Sequence, residues 1–126
     1  MAYADNKPRI VESVGAVFDI ALSGTVTKGD LIGLTGATWV AADATATAFP
    51  AYFVALDDGV SGDTIKATHE AVISSVSGAT VGGSVYMSET AGATTQTAPG
   101  EDQIVGVAVA ATRILIHPTW VAPAVV

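Results

Sequence analysis

Residues 103–117 read QIVGVAVAATRILIH. Two apolar runs, QIVGVAVA (103–110) and RILIH (113–117), stand two residues apart and are rich in β-branched side chains, so they predict a closing β-hairpin. Simple alternation puts Val105, Val107 and Val109 on one face and Gly106 and Ala108 on the other, the pattern of a strand packed closely on both sides. The same texture extends backwards through VGAVFDIAL (14–22), DLIGL (30–34), TWVAA (38–42), AYFVAL (51–56), TIKATHEAVISSV (64–76) and SVYMS (84–88). Between these runs lie SGTVTKG, TGA, DDGVSGD, SGATVGG and TAPGED, which supply the Gly, Asp, Ser and Pro that turns require. No window carries a capped apolar stripe of helical period. The expectation is an all-β fold: a small single-domain barrel or sandwich of short, mostly antiparallel strands with an extended N-terminal arm.

The boundaries follow from the polar ends. Residues 1–13 are mixed and polar, with Pro8 steering the preceding residue away from helix, and read as an extended arm. Residues 14–118 form the β domain, and 119–126 a short apolar tail interrupted by Pro123. The domain also repeats itself. The stretch from Val26, VTKGDLIGLTGATWVAADATATAFPAYFVALDD, overlays the stretch from Val81, VGGSVYMSETAGATTQTAPGEDQIVGVAVAAT, with small gaps. Gly29, Leu31 and Leu34 fall on or near Gly83, Val85 and Met87; Gly36, Ala37 and Thr38 on Gly92, Ala93 and Thr94; Val54, Ala55 and Leu56 on Val107, Ala108 and Val109. Each copy reads as a strand leaving a glycine turn, a hairpin tip, a polar return and a buried strand.

Composition narrows the function. A chain of 126 residues is one domain with room for a core. Half of it is apolar but only 6% is aromatic and 13% charged, so part of its surface is expected to be covered by copies of itself or a partner. A net charge of −7 argues against nucleic acid and anionic membrane. The absence of cysteine excludes disulfides and thiol chemistry. No export signal is recognisable, and the longest apolar run is too short to cross a bilayer and contains Arg113, so a soluble chain is expected.

No catalytic set emerges, and the expectation is a protein that is not an enzyme and uses no cofactor or metal. His69 and Glu70 open like a zinc-protease motif, but Ile73 stands where the second histidine belongs. His117 has no nucleophile near it in sequence. GATVGGS (78–84) has phosphate-loop glycines but Ser84 in place of lysine and no following helix, so it is a turn. Asp57, Asp58 and Asp63 in DDGVSGD lack calcium-loop spacing and read as a solvated turn.

The ordering GDLIGL, GATWVAAD, PAYFVALDDGVSGDTIKATHEAVI, ATVGGSVYMSETAGATT, QIVGVAVAATRILIHP resembles the capsid decoration, or cement, proteins of tailed bacteriophages. Residues 78–118 are also similar to modules of phage head-fibre and tail-fibre proteins. The resemblance covers about 26–118. It implies a structural virion protein, made in the host cytoplasm, that sits on the outer surface of the capsid as a homotrimer and bridges major capsid protein subunits. It also implies an arm that lies on the shell, with Tyr3, Lys7, Arg9 and Ile10 as its capsid-binding residues, and Trp39 and Trp120 as candidates for the oligomer interface. The alternative is a receptor- or glycan-binding module of a head or tail fibre, with Trp39 stacking on a sugar.

Overall fold

Thirteen short strands, and no helix, make up the described residues of the computed structural model, which are 3–42, 50–97 and 103–118. They are β1 (Ala4–Asp5), β2 (Val11–Ser13), β3 (Val17–Ala21), β4 (Leu31–Thr35), β5 (Thr38–Ala41), β6 (Ala51–Ala55) and β7 (Thr64–Thr68). There follow β8 (Ala71–Ile73), β9 (Val76–Ser77), β10 (Ser84–Met87), β11 (Thr94–Thr95), β12 (Ile104–Ala110) and β13 (Arg113–Ile116). All strand pairs are antiparallel, in a five-stranded sheet ordered β3-β7-β6-β4-β5, a six-stranded sheet ordered β11-β10-β12-β13-β8-β2 and the small pair β1-β9. The fold is all-β and sandwich-like.

Two apolar clusters follow from strand alternation. Leu31 and Val54 face the six-stranded sheet and join Ile73, Val85, Met87, Val105, Ile114 and Ile116 in the larger core. Their neighbours Ile32 and Phe53 point the other way, into a second cluster with Ile20, Leu22, Val26 and Ile65. The five-stranded sheet can bury both faces because it curls: a parallel bridge between Leu22 and Trp39 brings the end of β3 against β5, its opposite edge.

The duplication is visible in the topology. In one unit β4 pairs with β5 and β6, and β6 with β7; in the other β10 pairs with β11 and β12, and β12 with β13. The backbone bonds coincide at a constant shift of 53 positions (29 to 82, 30 to 83, 55 to 108). The Gly29 amide donates to the Ala55 carbonyl and that of Ala55 to Asp30; likewise Gly82 donates to Ala108 and Ala108 to Gly83. Leu31 therefore matches Ser84 rather than Val85, one residue from the sequence overlay, and Gly29 matches Gly82. The β4–β5 tip pairs Thr35 with Thr38 across two residues, whereas Ser88 reaches Ala93 across four, so Thr38 matches Ala93, not Thr94.

Each unit also carries a register shift at the same place, leaving Tyr52 unpaired opposite Ile32–Gly33 and Val105 unpaired opposite Val85–Tyr86. Such an extra residue inverts the facing of all that follows. That corrects the alternation expected for β12: Val105 is buried, Gly106 and Ala108 face inward with it, Val107 faces outward, and Val109 is half exposed beside a second shift. Gly106 is required there, since a Cβ would stand 2.0 Å from the Leu115 carbonyl oxygen.

The run at 64–76 is not one strand. It divides at His69–Glu70 and Ser74–Ser75 into β7, β8 and β9, which belong to three different sheets. The N-terminal segment is extended, as expected, yet it is integral to the sheets: β1 pairs with β9, and β2 forms an edge of the six-stranded sheet, Ser13 opposite Ala71. The tail, 119–126 with Trp120, lies outside the described residues.

Candidate functional site

The N-terminal segment is fastened by a buried polar cluster. Arg9, only 5% exposed, donates from Nε to Asp5 Oδ1 at 2.8 Å and from one terminal nitrogen to Asp30 Oδ1, Thr27 Oγ1 and the Lys28 carbonyl. Asp5 Oδ2 accepts from the Thr94 amide and hydroxyl, both at 2.9 Å. With the Thr94 hydrogen committed to Asp5, the Tyr3 hydroxyl donates to Thr94 Oγ1 at 2.5 Å. A cation between two carboxylates, with the remaining oxygens hydrogen-bonded, is the arrangement that lets charge be buried. Burial pulls the Arg9 pKa down, but the bonds and charges of Asp5 and Asp30 outweigh it and raise it above the usual value. Tyr3 is pushed up to about 12, by burial first and the Asp5 charge as well, against the opposing effect of its bond to Thr94.

Two of the four expected arm residues, Tyr3 and Arg9, are thus held inside the fold. Lys7 and Ile10 are exposed, Ile10 by 64%. The Lys7–Pro8 peptide is cis, and Lys7, Pro8 and Arg9 form one wall of a groove of about 720 Å³ whose other wall is Thr27, Lys28, Leu56, Asp57 and Asp58. Trp39 is half-buried and packs edge-on against Tyr52 and Phe53, with ring centres 5.7 and 5.3 Å away, so the molecule's own second cluster occupies much of it.

The residues tested for chemistry have structural tasks. His69 Nε2 accepts from the Ala16 amide at 3.3 Å, and its ring lies between Phe18 and His117. Asp57, Asp58 and Asp63 accept from the amides of Lys66, Lys28 and Val60 respectively. Among the described residues no three His, Asp or Glu converge as metal ligands do. The GATVGGS segment is the turn Thr80–Gly83, closed by the Gly83 amide on the Thr80 carbonyl, with Gly82 at φ 80°.

A surface that the motif search passed over is the outer face of the six-stranded sheet. Register places Ser84, Val107, Leu115, Val72 and Glu12 in one row across it, with Tyr86 beside Ile104 in a second. Ile104 is 55% exposed and Val109, at the end of the sheet, 50%. Strands β8 to β13 contain no Asp or Glu at all, a signal already present in the sequence. Comparison with known proteins adds nothing to this geometry: no protein-family model matches the chain, and neither does any curated protein.

Proposed function

We propose that this protein is a structural component of a tailed phage, binding the outer surface of the capsid as a trimer and bridging major capsid protein subunits. The observation that carries the reading is the extent of the resemblance to decoration proteins. It runs from about 26 to 118 and takes in both like units whole, from the glycine turn that opens the first to the hairpin that ends the second. The N-terminal segment contributes Lys7 and Ile10 to the contact, because Tyr3 and Arg9 are engaged within the domain.

Clamping then rests on multivalency rather than chemistry. Once one subunit of a trimer has bound, the others meet their sites at high effective concentration, and several modest contacts sum to a tight one. Binding to the assembled shell and not to free subunits stabilises the shell by mass action. The test is addition of the purified chain to expanded shells that lack it. Saturable binding and a higher shell-opening temperature are expected; no binding at micromolar concentration overturns the reading.

A further inference from the structure

Sheet edges are where a β protein meets strands that are not its own, and natural edges are kept short or charged. The six-stranded sheet follows that rule: β11 has two residues, and β2 has three and carries Glu12. The five-stranded sheet ends on β3, which is longer and carries Val17 and Phe18, 50% and 38% exposed. That edge is closed at one end only. The bridge from Leu22 reaches Trp39, and β5 begins one residue earlier at Thr38, so nothing in β5 runs beside residues 17–19. The backbone's facing follows from the bonds around it. The amides of Ala16 and Leu22 turn toward the β7–β8 side, onto His69 Nε2 and the Asp63 carbonyl, and that of Ser23 turns the other way, onto the Trp39 carbonyl. Alternation then aims the N–H and C=O groups of Val17 and Asp19 outward, where no strand pairs with β3 among the described residues. We propose that this edge accepts an added strand: an extended segment of a partner chain, apolar at alternate positions and free of acidic side chains.

Both parts of that description come from the surroundings of β3. Phe18 and Ile20 lie on its inner face, Phe18 with its ring centre 5.2 Å from that of Phe53 and Ile20 within the second cluster. An apolar side chain set beside Phe18 extends that cluster over its exposed side. On the outer face Asp19 pairs with Lys66, and Asp57, which accepts from the Lys66 amide, adds a second carboxylate. Two carboxylates against one cation, in a chain of net charge −7, disfavour an acidic segment and draw a neutral or basic one. Main-chain bonds supply the affinity of such an addition and alternate side chains its selectivity. The proposal does not rest on the capsid reading, and its test uses no shells, so the two fail separately.

The probe is an acetylated, amidated hexapeptide alternating valine and lysine, titrated into the full chain and followed by backbone amide shifts and hydrogen exchange. Saturable binding below about 1 mM is expected, with shifts centred on β3 and exchange of the Val17 and Asp19 amides slowed about tenfold at saturation. The same peptide N-methylated throughout keeps its side chains but has no N–H to donate, and is expected to bind about tenfold more weakly, as is a valine–glutamate peptide. Asp19→Pro removes one outward N–H at an edge position that tolerates proline, and is expected to keep the far-UV spectrum and lose about tenfold in affinity. Asp19→Ala, which removes only the charge, should stay within about threefold of wild type. If Asp19→Pro does not fold, the N-methylated peptide tests the same bonds from the ligand's side. Absence of binding at about 1 mM overturns the proposal, as do shifts centred on another strand or equal affinity for the N-methylated or the acidic peptide. So does slow exchange of the Val17 and Asp19 amides in the free chain, which means that the edge is already taken: by the chain's own residues if the protection persists on dilution, by a second copy if it does not.

Discussion

The two like units make the same turn and cap it differently. In the first, the Asp30 carboxylate turns back to accept from the Thr27 amide at 2.8 Å, and Arg9 neutralises it. In the second, the position of Asp30 is taken by Gly83, and the amide of Gln96 does the work from a neighbouring segment: its Oε1 accepts from the Thr80 amide at 2.7 Å while Nε2 donates to the Thr80 carbonyl. A third turn of this kind, Val60–Asp63, caps itself as the first does, through Asp63. What stays constant is the glycine at the third position, at φ 90°, 80° and 97° in the three turns. The glycine conformation and the backbone bonds therefore define the turn, and the capping group is free to vary in chemistry.

Removing Arg9 strikes the cap of the first turn directly and, through Asp5, the Thr94 contact of the second unit, and is expected to have the largest effect. Arg9→Met leaves two buried carboxylates without their cation and should cost about 3–5 kcal/mol in urea unfolding. The double variant Arg9→Met, Asp30→Asn should recover part of it. Next come the paired glycines. At Gly82 a Cβ meets nothing within 4 Å, so Gly82→Ala should cost only the left-handed backbone, about 1–2 kcal/mol. At Gly29 a Cβ would lie 2.4 Å from Arg9 Cδ, adding about 1–3 kcal/mol of overpacking to the same strain. Equal losses at the two glycines would break the comparison. Smaller again is Gln96→Ala, about 1 kcal/mol. Adding Gly83→Asp to it should restore most of the loss by giving the second turn the cap of the first; no recovery would mean the caps are not equivalent.

The smallest effect at neutral pH belongs to Tyr3. Its folded pKa of about 12 lies above the ordinary 10, so the unfolded chain releases the proton first as pH rises. The stability tied to the neutral phenol is complete below pH 10 and is lost between about 10 and 12. Tyr3→Phe should flatten the fall in melting temperature across that window.

Much of the architecture was legible because it is written in short-range signals. The glycine turns and β-branched runs marked most strands, and the duplication showed in the recurrence of glycine, tip and apolar return. What misled was any feature decided by long-range partners. Val107 and Val109 look like Val105 in sequence, but an extra residue opposite Val85–Tyr86 turned them outward. His69–Glu70 carries no strong breaker, yet there the chain leaves one sheet for another. Arg9 reads as a surface cation in a polar arm, and only the folded chain brings Asp5 and Asp30 to it. That the strands β8 to β13 carry no Asp or Glu was visible in the sequence, but only the register sets their residues side by side on one sheet.

Ala51, the residue that opens β6, is gripped at both its amide and its carbonyl by the buried side chain of Gln103, which lies just ahead of β12. A chain with two similar units runs a risk that a single unit does not: β4 can be offered β12, or β10 offered β6, with nearly interchangeable apolar side chains. Gln103 acts as an address in that situation, since its two bonds are made only when the start of β6 and the approach to β12 lie side by side in their own places. Identity between near-copies is thus kept by a few buried amides and ions, and substitutions there threaten the fidelity of pairing more than the amount of surface buried.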